Sequence, residues 1–500
     1  MNSVYLDWLA AQALAAPRAV ALLTPAGRWT YAALDAAVDA ACARLTAASL
    51  RTGERVAMHG PNDAAAVILV HACARLGAVL APLNTRLAPA EVAEQLRLAR
   101  PALVICENAA VAAAARPHTR VSLTRAEFDA LPPAPFTPAP FDTERTQAIV
   151  FTSGSTSTPK GVQLSFANHL WSALGSAARL GASPDDHWLS VLPLFHVGGL
   201  AVIFRAALFG FAVTLLPRFD PDDVAAALTH AQPPITLVSL VPTMLKRMLD
   251  RGWPPAPALR CALLGGAAAD ESLLHAAFAA GVPVSTTYGM TEAASQIATQ
   301  TPAETARKPL SVGRPLAQTR VRICDESGAD LPTGTDGADG AVGAVGEIVV
   351  RGPTLMRGYL DNPAADARTL RDGELFTGDL GYLDADGDLF VLQRRSDLII
   401  SGGENVYPAE VERVLRTHPA VADALVIGAP DAEWGQLVCA LLVAHAGASI
   451  DIDAVLAHAR KSLAGYKRPR RIQIVHTLPL LPNGKIDRKA AEKQISDFRF

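Results

Sequence analysis

Along residues 55–106, short apolar runs alternate with longer stretches whose apolar residues recur every three or four positions. "RVAMHG" predicts a strand, "DAAAVILVHACARLG" a helix, "AVLAPL" a strand, "PAEVAEQLRLAR" a helix and "ALVICE" a strand. Such alternation implies βαβ units on a parallel sheet, because a parallel return needs a crossover long enough to hold a helix. A proline-rich stretch, "ALPPAPFTPAPFDTERTQ", then predicts a surface connection rather than a packed element. The alternation resumes at Gln147. Strands are predicted in "AIVFTSG", "WLSVLP", "AVTLLP", "ITLVSL", "RCALLGG" and "VSTTYG", and helices in "GGLAVIFRAALFG", "PTMLKRMLD" and "DESLLHAAFAAG".

After about Ser311 the texture changes. "TRVRICDESGADLPTGTDGADGAVGAVGEIVVRG" predicts a β-hairpin with a long tip rich in glycine and aspartate. Beyond about Arg395 the pattern is α+β and compact: helix "PAEVERVLRTH", strands "ADALVIGA" and "LVCALLVA", helix "IDAVLAHARKSLAG" and strand "RIQIVH". That is enough chain for a small separate domain.

With 500 residues, the chain is too long for one core. Half of the residues are hydrophobic, and the formal net charge of -3 offers no field that would select nucleic acid or an acidic membrane surface. The six cysteines form no CxxC pair, which argues against a zinc knuckle and for a reducing cytosol. The most apolar stretch, "AAAVILVHACARLGAVLAPL", holds His71 and Arg75 and a late proline. It predicts a buried helix and strand rather than a membrane span. The N-terminus lacks a basic region and carries Asp7, so it is a poor signal peptide.

"TSGSTSTPKG", Thr152–Gly161, packs six hydroxyl side chains, two glycines and a lysine into ten residues. Hydroxyls, N–H groups exposed by glycine and one ammonium make a cradle for phosphate oxygens. The P-loop pattern GxxxxGK[ST] does not fit, because Pro159 stands where its second glycine belongs. A flexible hydroxyl-rich surface loop is the competing reading. Three further segments change the balance. "TTYGMTEAAS" (Thr286–Ser295) joins a tyrosine, a glycine turn and Glu292. "FTGDLGYLDADGDLFVLQRRSDLIISGGENVYPAEVE" (Phe376–Glu412) holds Asp379, Arg394 and the Gly402–Gly403–Glu404 loop, and "LPLLPNGKIDRKA" holds Lys485.

In this order and spacing the set resembles the adenylate-forming superfamily of acyl- and aryl-CoA synthetases, peptide-synthetase adenylation domains and firefly luciferase. The resemblance covers essentially the whole chain. Within the superfamily, "PLFHVGGL", "YGMTEAASQIAT" and "RRSDLIISGGENVYPAEVE" look most like the o-succinylbenzoate–CoA ligases of menaquinone biosynthesis. The resemblance implies an α/β N-terminal domain, 1–394, with stacked, mostly parallel sheets and a β-rich subdomain. A small mobile α+β domain, 395–500, would follow. It also implies ATP, Mg²⁺ and coenzyme A acting on a small carboxylic acid, with no nucleic acid and no integral membrane part; a homo-oligomer stays open.

Residue by residue, the resemblance assigns Thr152, Ser153, Gly154, Ser155, Thr156 and Lys160 to the β- and γ-phosphates. Glu292 is assigned to Mg²⁺ and Thr291 to the neighbourhood of the α-phosphate. Tyr288, before the turn at Gly289, would stack on adenine, with Gly265, Gly266 and Ala267 on the other side. Asp379 would bind the ribose hydroxyls and Arg394 the ribose or α-phosphate. Lys485 would bridge the attacking carboxylate and the α-phosphate, and His196 would sit at the acyl pocket and thiol entry. Gly402, Gly403 and Glu404 would line the pantetheine tunnel, with Ser396 as hinge. Ser157 stands where the superfamily usually carries glycine; if φ is positive there, serine costs about 1 kcal/mol. For the second carboxylate of o-succinylbenzoate, position alone nominates Ser239, Thr243, Ser295 and Gln296, with Arg205 and Lys246 as cations. A general aryl- or fatty-acyl-CoA synthetase, an adenylation domain serving a carrier protein and a non-catalytic acyl-nucleotide-binding protein are the alternatives. The last would be expected to lose Lys485 or Glu292, and both are present.

Overall fold

The computed structural model describes residues 7–497 apart from 88, 153–158, 335–342, 395–398, 402, 403, 407, 432, 433, 462, 464 and 482–485. Two compact units emerge. The first holds Met1–Val321, Val349–Phe376 and Gly387–Leu389; the second holds Arg322–Ile348, Thr377–Asp386 and Phe390–Phe500.

Two large sheets organise the first unit. One has seven strands in the order Gly358–Tyr359, Lys160–Ser165, Thr146–Thr152, Val79–Pro82, Arg55–His59, Leu103–Cys106 and Val121–Thr124. Its last four pairings are parallel and its first two antiparallel. The helices over Ala64–Leu76 and Pro89–Ala99 arise where the periodicity predicts them. The first starts at Asp63, whose carboxylate accepts from Ala66 N–H, and stops at Gly77, whose φ of 65° is the left-handed cap that glycine adopts without strain.

The nine-stranded sheet runs Arg314–Pro315, Ser295–Thr299, Val284–Met290, Cys261–Leu264, Leu237–Leu240, His187–Ser190, Ala212–Leu215, Val20–Thr24 and Gly27–Thr30. It is parallel from Val284–Met290 through Val20–Thr24 and antiparallel at both edges. A helical layer touches both sheets. Phe166–Leu180 packs on Lys160–Ser165, and Val197–Phe209 packs on Phe166–Leu180 and on His187–Ser190.

The N-terminal 40 or so residues, which the hydrophobic pattern leaves unassigned, form the helix Trp8–Ala15, an edge hairpin and the helix Tyr31–Ala47. The predicted burial of Arg75 holds, and the structure supplies the reason. Its guanidinium, 5% exposed, meets Asp7 at 2.7 Å, Asp35 at 2.5 Å and Asp39 at 2.6 Å, tying three helices together. Arg75→Leu should therefore lower stability by about 3 kcal/mol, the low end for breaking a buried ion pair, since the carboxylates stay partly hydrated. Urea unfolding followed by tryptophan fluorescence reads the shift; an unchanged midpoint would mean the network adds nothing.

The proline-rich stretch is a surface connection, as expected: from 131 to 145 it forms no helix or strand and buries no residue, though a few contacts pin its course. Ala139 N–H donates to Arg75 O at 2.9 Å and Ala134 N–H to Ala43 O at 3.1 Å. The Phe141 ring lies 4.6 Å from Phe166 and 5.9 Å from Trp8. Proline fixed in an extended conformation loses little further entropy on docking, so a surface segment without secondary structure can still hold a fixed course.

The predicted hairpin forms, with Arg320–Cys324 beside Gly346–Arg351 in a five-stranded sheet; its tip lies outside the described residues. In the second unit a sheet runs Glu404–Val406, Ile399–Ser401, Gly435–Ala444 and Val421–Asp431, with Arg471–Val475 parallel to Gly435–Ala444. Both faces are covered. Ala424 and Val426 join a core with the helices Pro408–Arg416 and Ile452–Ala459, and Leu425 and Ile427 join one with Arg488–Asp497. Among the described residues no helix is long and apolar enough to cross a membrane.

Candidate active site

The hydroxyl-rich segment is the connection of a hairpin. Thr152 pairs with Lys160 across antiparallel strands, so the segment turns back into a strand instead of opening a helix. The P-loop comparison, which needs a helix to follow the loop, thus fails in topology as well as in spacing. Ser153, Gly154, Ser155, Thr156 and Ser157 lie outside the described residues.

A second hairpin carries "TTYGMTEAAS". Val284–Met290 pairs antiparallel with Ser295–Thr299, with a bulge after Tyr288 and a 3₁₀ turn at Thr291–Ala293. The turn is tight. A Cβ on Gly289 would lie 1.7 Å from Ser295 O, and Ala294 and Ser295 take φ of 51° and 103°. Only glycine fits at 289, and left-handed backbone at two non-glycine residues stores strain at this tip. The geometry turns Glu292 inward, where it is 9% exposed, instead of leaving it as a solvated helix-start acid.

The two hairpins meet through a residue the sequence does not single out. Tyr359, paired with Val162 beside the Lys160 strand, donates its hydroxyl to Glu292 Oε1 at 2.9 Å. Burial and then the Glu292 charge raise the Tyr359 pKa, so it stays a donor at any working pH. Lys160 Nζ sits 4.9 Å above the same ring. Tyr359 therefore orients a carboxylate with one edge and supports an ammonium with its face. Glu292 suits Mg²⁺: Tyr359 holds Oε1, Oε2 remains for a hard cation, and such an ion needs only one or two protein carboxylates when phosphates complete its shell.

Beside this hairpin, Gly265, Gly266 and Ala267 follow the strand Cys261–Leu264, next to Val284–Met290. A Cβ on Gly265 would lie 2.7 Å from Thr287 Cγ2, and Gly266 has φ of 80°. Glycine at 265 thus lets the backbone pass against Thr287, with its N–H bonded to Leu240 O at 3.2 Å, and glycine at 266 takes the left-handed turn that follows.

The nominated acyl-pocket residues fare differently. Ser239 Oγ accepts from Trp188 Nε1 at 2.9 Å, so its hydroxyl orients an indole. Thr243 is exposed in the first turn of Pro242–Asp250, and Lys246 pairs with Asp250 at 2.9 Å on the same helix. Ser295 occupies the strained turn. Gln296 donates to Thr299 Oγ1 at 2.8 Å, while its buried Oε1 has no partner among the described residues. Arg205 is another matter. It is 3% exposed, lies 5.6 Å over the Trp188 ring, and its Nε and Nη2 have no hydrogen-bond partner among the described residues. Burial lowers its pKa to about 10, which still leaves it charged at neutral pH. On the neighbouring helix Phe166–Leu180, His169 stacks on Phe204 at 4.4 Å, with both ring nitrogens unpartnered among the described residues. Burial, then Arg205, push the His169 pKa down to about 3, so it is neutral. Ser190 Oγ, on the strand face shared with Trp188, is likewise without a partner among the described residues. His196 is exposed at the start of the helix Val197–Phe209, its ring 4.7 Å from Phe195.

In the second unit, Asp379 is buried on the strand Glu374–Leu383, its N–H donating to Thr377 Oγ1 at 3.1 Å. Gly378, with φ of 71°, donates to Glu347 Oε1. Arg394 and Glu404 fall on strands, at the end of Leu389–Arg394 and the start of Glu404–Val406. Ser396, Gly402, Gly403 and Lys485 lie outside the described residues.

Known proteins place this arrangement. The AMP-binding enzyme family model matches residues 9–360, and that of the AMP-binding enzyme C-terminal domain matches 410–485. A 2-succinylbenzoate–CoA ligase of Geobacillus sp. (strain WCH70) is 37% identical over 494 residues, covering 98% of this chain and 97% of the relative. The o-succinylbenzoate CoA synthetase (MenE) of Bacillus subtilis, solved in complex with the acyl-adenylate intermediate OSB-AMP, has a TM-score of 0.90 at 36% identity, covering 99% of both chains. The same synthetase solved with ATP and magnesium ion has a TM-score of 0.88 at 36% identity, covering 98% of this chain and 99% of that one. With the two hairpins and the glycine wall built as described, and with matches that run nearly end to end, the chain belongs to the AMP-binding enzyme family.

Proposed function

We propose that this protein is an AMP-forming acid–thiol ligase that converts o-succinylbenzoate, ATP and coenzyme A to o-succinylbenzoyl-CoA, AMP and pyrophosphate in menaquinone biosynthesis. In the first half-reaction the succinyl carboxylate attacks the α-phosphate and pyrophosphate leaves. In the second the CoA thiol attacks the acyl carbon and AMP leaves. The first step joins two anions, so the chain must supply positive charge and N–H dipoles. Lys160 and the hydroxyl-rich connection hold the β- and γ-phosphates, Glu292 steadied by Tyr359 holds Mg²⁺, and Lys485 spans the reacting anions. Mg²⁺, when bound, neutralises phosphate charge. Tyr288 and Gly265–Ala267 enclose adenine, with Asp379 and Arg394 on the ribose side. We place the domain boundary at Arg394/Arg395 with Ser396 as hinge. The second domain would present Lys485 first and the Gly402–Glu404 loop afterwards. The compartment is the cytoplasm.

The observation that carries the substrate is Arg205. A buried guanidinium without a protein anion is costly, and a bound carboxylate removes that cost. Ser190 Oγ, also without a partner among the described residues, adds a hydroxyl donor on a neighbouring strand. A site for fatty acids or plain benzoate has no use for that charge. Pyrophosphate release with a panel of acids tests the reading. o-Succinylbenzoate should exceed benzoate and octanoate by at least about a hundredfold in kcat/KM. Comparable turnover of either would leave only a general acyl-CoA synthetase.

A further inference from the structure

The loop that delivers His196 is held by a side chain far away in sequence. Asn62 lies between the strand Arg55–His59 and the helix Ala64–Leu76 and is 7% exposed. Its amide Nδ2 donates to Leu192 O at 2.9 Å, and its Oδ1 accepts from Leu194 N–H at 3.0 Å. Leu192 offers only a carbonyl here and Leu194 only an N–H, so one amide orientation satisfies both. Pro193 between them has no N–H of its own. Among the described residues these are the only side-chain hydrogen bonds to the backbone of 192–195. Pro193 O in turn accepts from His196 N–H at 3.0 Å. The helix that follows presses on the same peptides: a Cβ on Gly199 would lie 2.4 Å from Pro193 O and 2.7 Å from Leu192 O. The loop is thus clamped on one side by Asn62 and on the other by a helix turn that only glycine permits.

We propose that Asn62 is a positioning residue for His196, fixing the peptide from which the imidazole projects; the inference rests on the reading of His196 as a site residue. Asn62 touches no substrate in this scheme. It acts by removing the freedom of the 192–195 backbone, and small displacements of a site group are costly in rate.

A double-mutant cycle with Asn62→Leu and His196→Ala tests it, reading pyrophosphate exchange and thioester formation separately. Asn62→Leu alone should lower kcat about tenfold in the half-reaction that His196→Ala impairs, with the KM for ATP unchanged. In the His196→Ala background the same substitution should change that rate less than twofold. An equal loss in both backgrounds, or an unchanged rate for Asn62→Leu alone, overturns the proposal while leaving His196 in the site. If His196→Ala alone leaves both half-reactions intact, the reading of His196 fails, and the proposal with it. Should Asn62→Leu not fold, Asn62→Asp goes through the same cycle against the same criteria. It keeps the acceptor for Leu194 N–H and sets a carboxylate oxygen against Leu192 O.

Discussion

Lys485→Ala is expected to slow adenylate formation by about a hundred- to a thousandfold, the loss typical of removing one charge-stabilising group from a transition state. Thioester formation from supplied acyl-adenylate should change only a few-fold. The asymmetry follows from the chemistry. A cation is needed where a carboxylate meets a triphosphate, and the mixed anhydride, once made, no longer brings two anions together. Single-turnover assays of each half-reaction separate the two outcomes. Equal loss in both would sink the division of labour and make Lys485 a group needed throughout, or one needed for folding.

Arg205→Leu should lower kcat/KM for o-succinylbenzoate by about a hundredfold or more, the scale for truncating one partner of a buried charge pair. Activity with benzoate should hold or rise, and ATP affinity should not move. The control lies in stability. No described carboxylate pairs with Arg205, so removing it strands no anion in the protein, and a leucine among Phe204, Trp188 and His169 should leave the unfolding midpoint unchanged or higher. A uniform fall across all acids would point to a packing role beneath Trp188. That outcome would also fit Ser239, whose hydroxyl holds the indole on which the guanidinium rests.

Much of the fold is legible in local pattern. From Arg55 to Cys106 each predicted strand and helix forms, because apolar periodicity and short glycine or proline punctuation report directly on which faces are buried. Residues 7–47 resist such reading. Their alanine-rich helices have little amphipathic contrast, and they are held by Arg75, whose partners Asp7, Asp35 and Asp39 lie too far away in sequence for local pattern to announce. The reverse holds for Lys246, a cation with a carboxylate one helical turn away, whose surface pairing with Asp250 the i, i+4 spacing already allows.

The site divides the same way. Glycine turns, the hydroxyl run and Glu292 stand out in the sequence because the proposed phosphate chemistry calls for those residue types in short, recognisable motifs. What the sequence by itself determined was therefore the class of reaction, through a loop, a carboxylate and a far lysine whose order and spacing resemble one superfamily. Tertiary structure alone decided which ordinary residues serve them. Tyr359 reaches Glu292 only because Gly358–Tyr359 adds to the edge of the Lys160 strand, and Asn62 reaches Leu192 and Leu194 only because distant segments are packed together. Burial without a partner is a property of three-dimensional surroundings, so Arg205 shows its charge as unmet among the described residues only once the helical layer has closed around it.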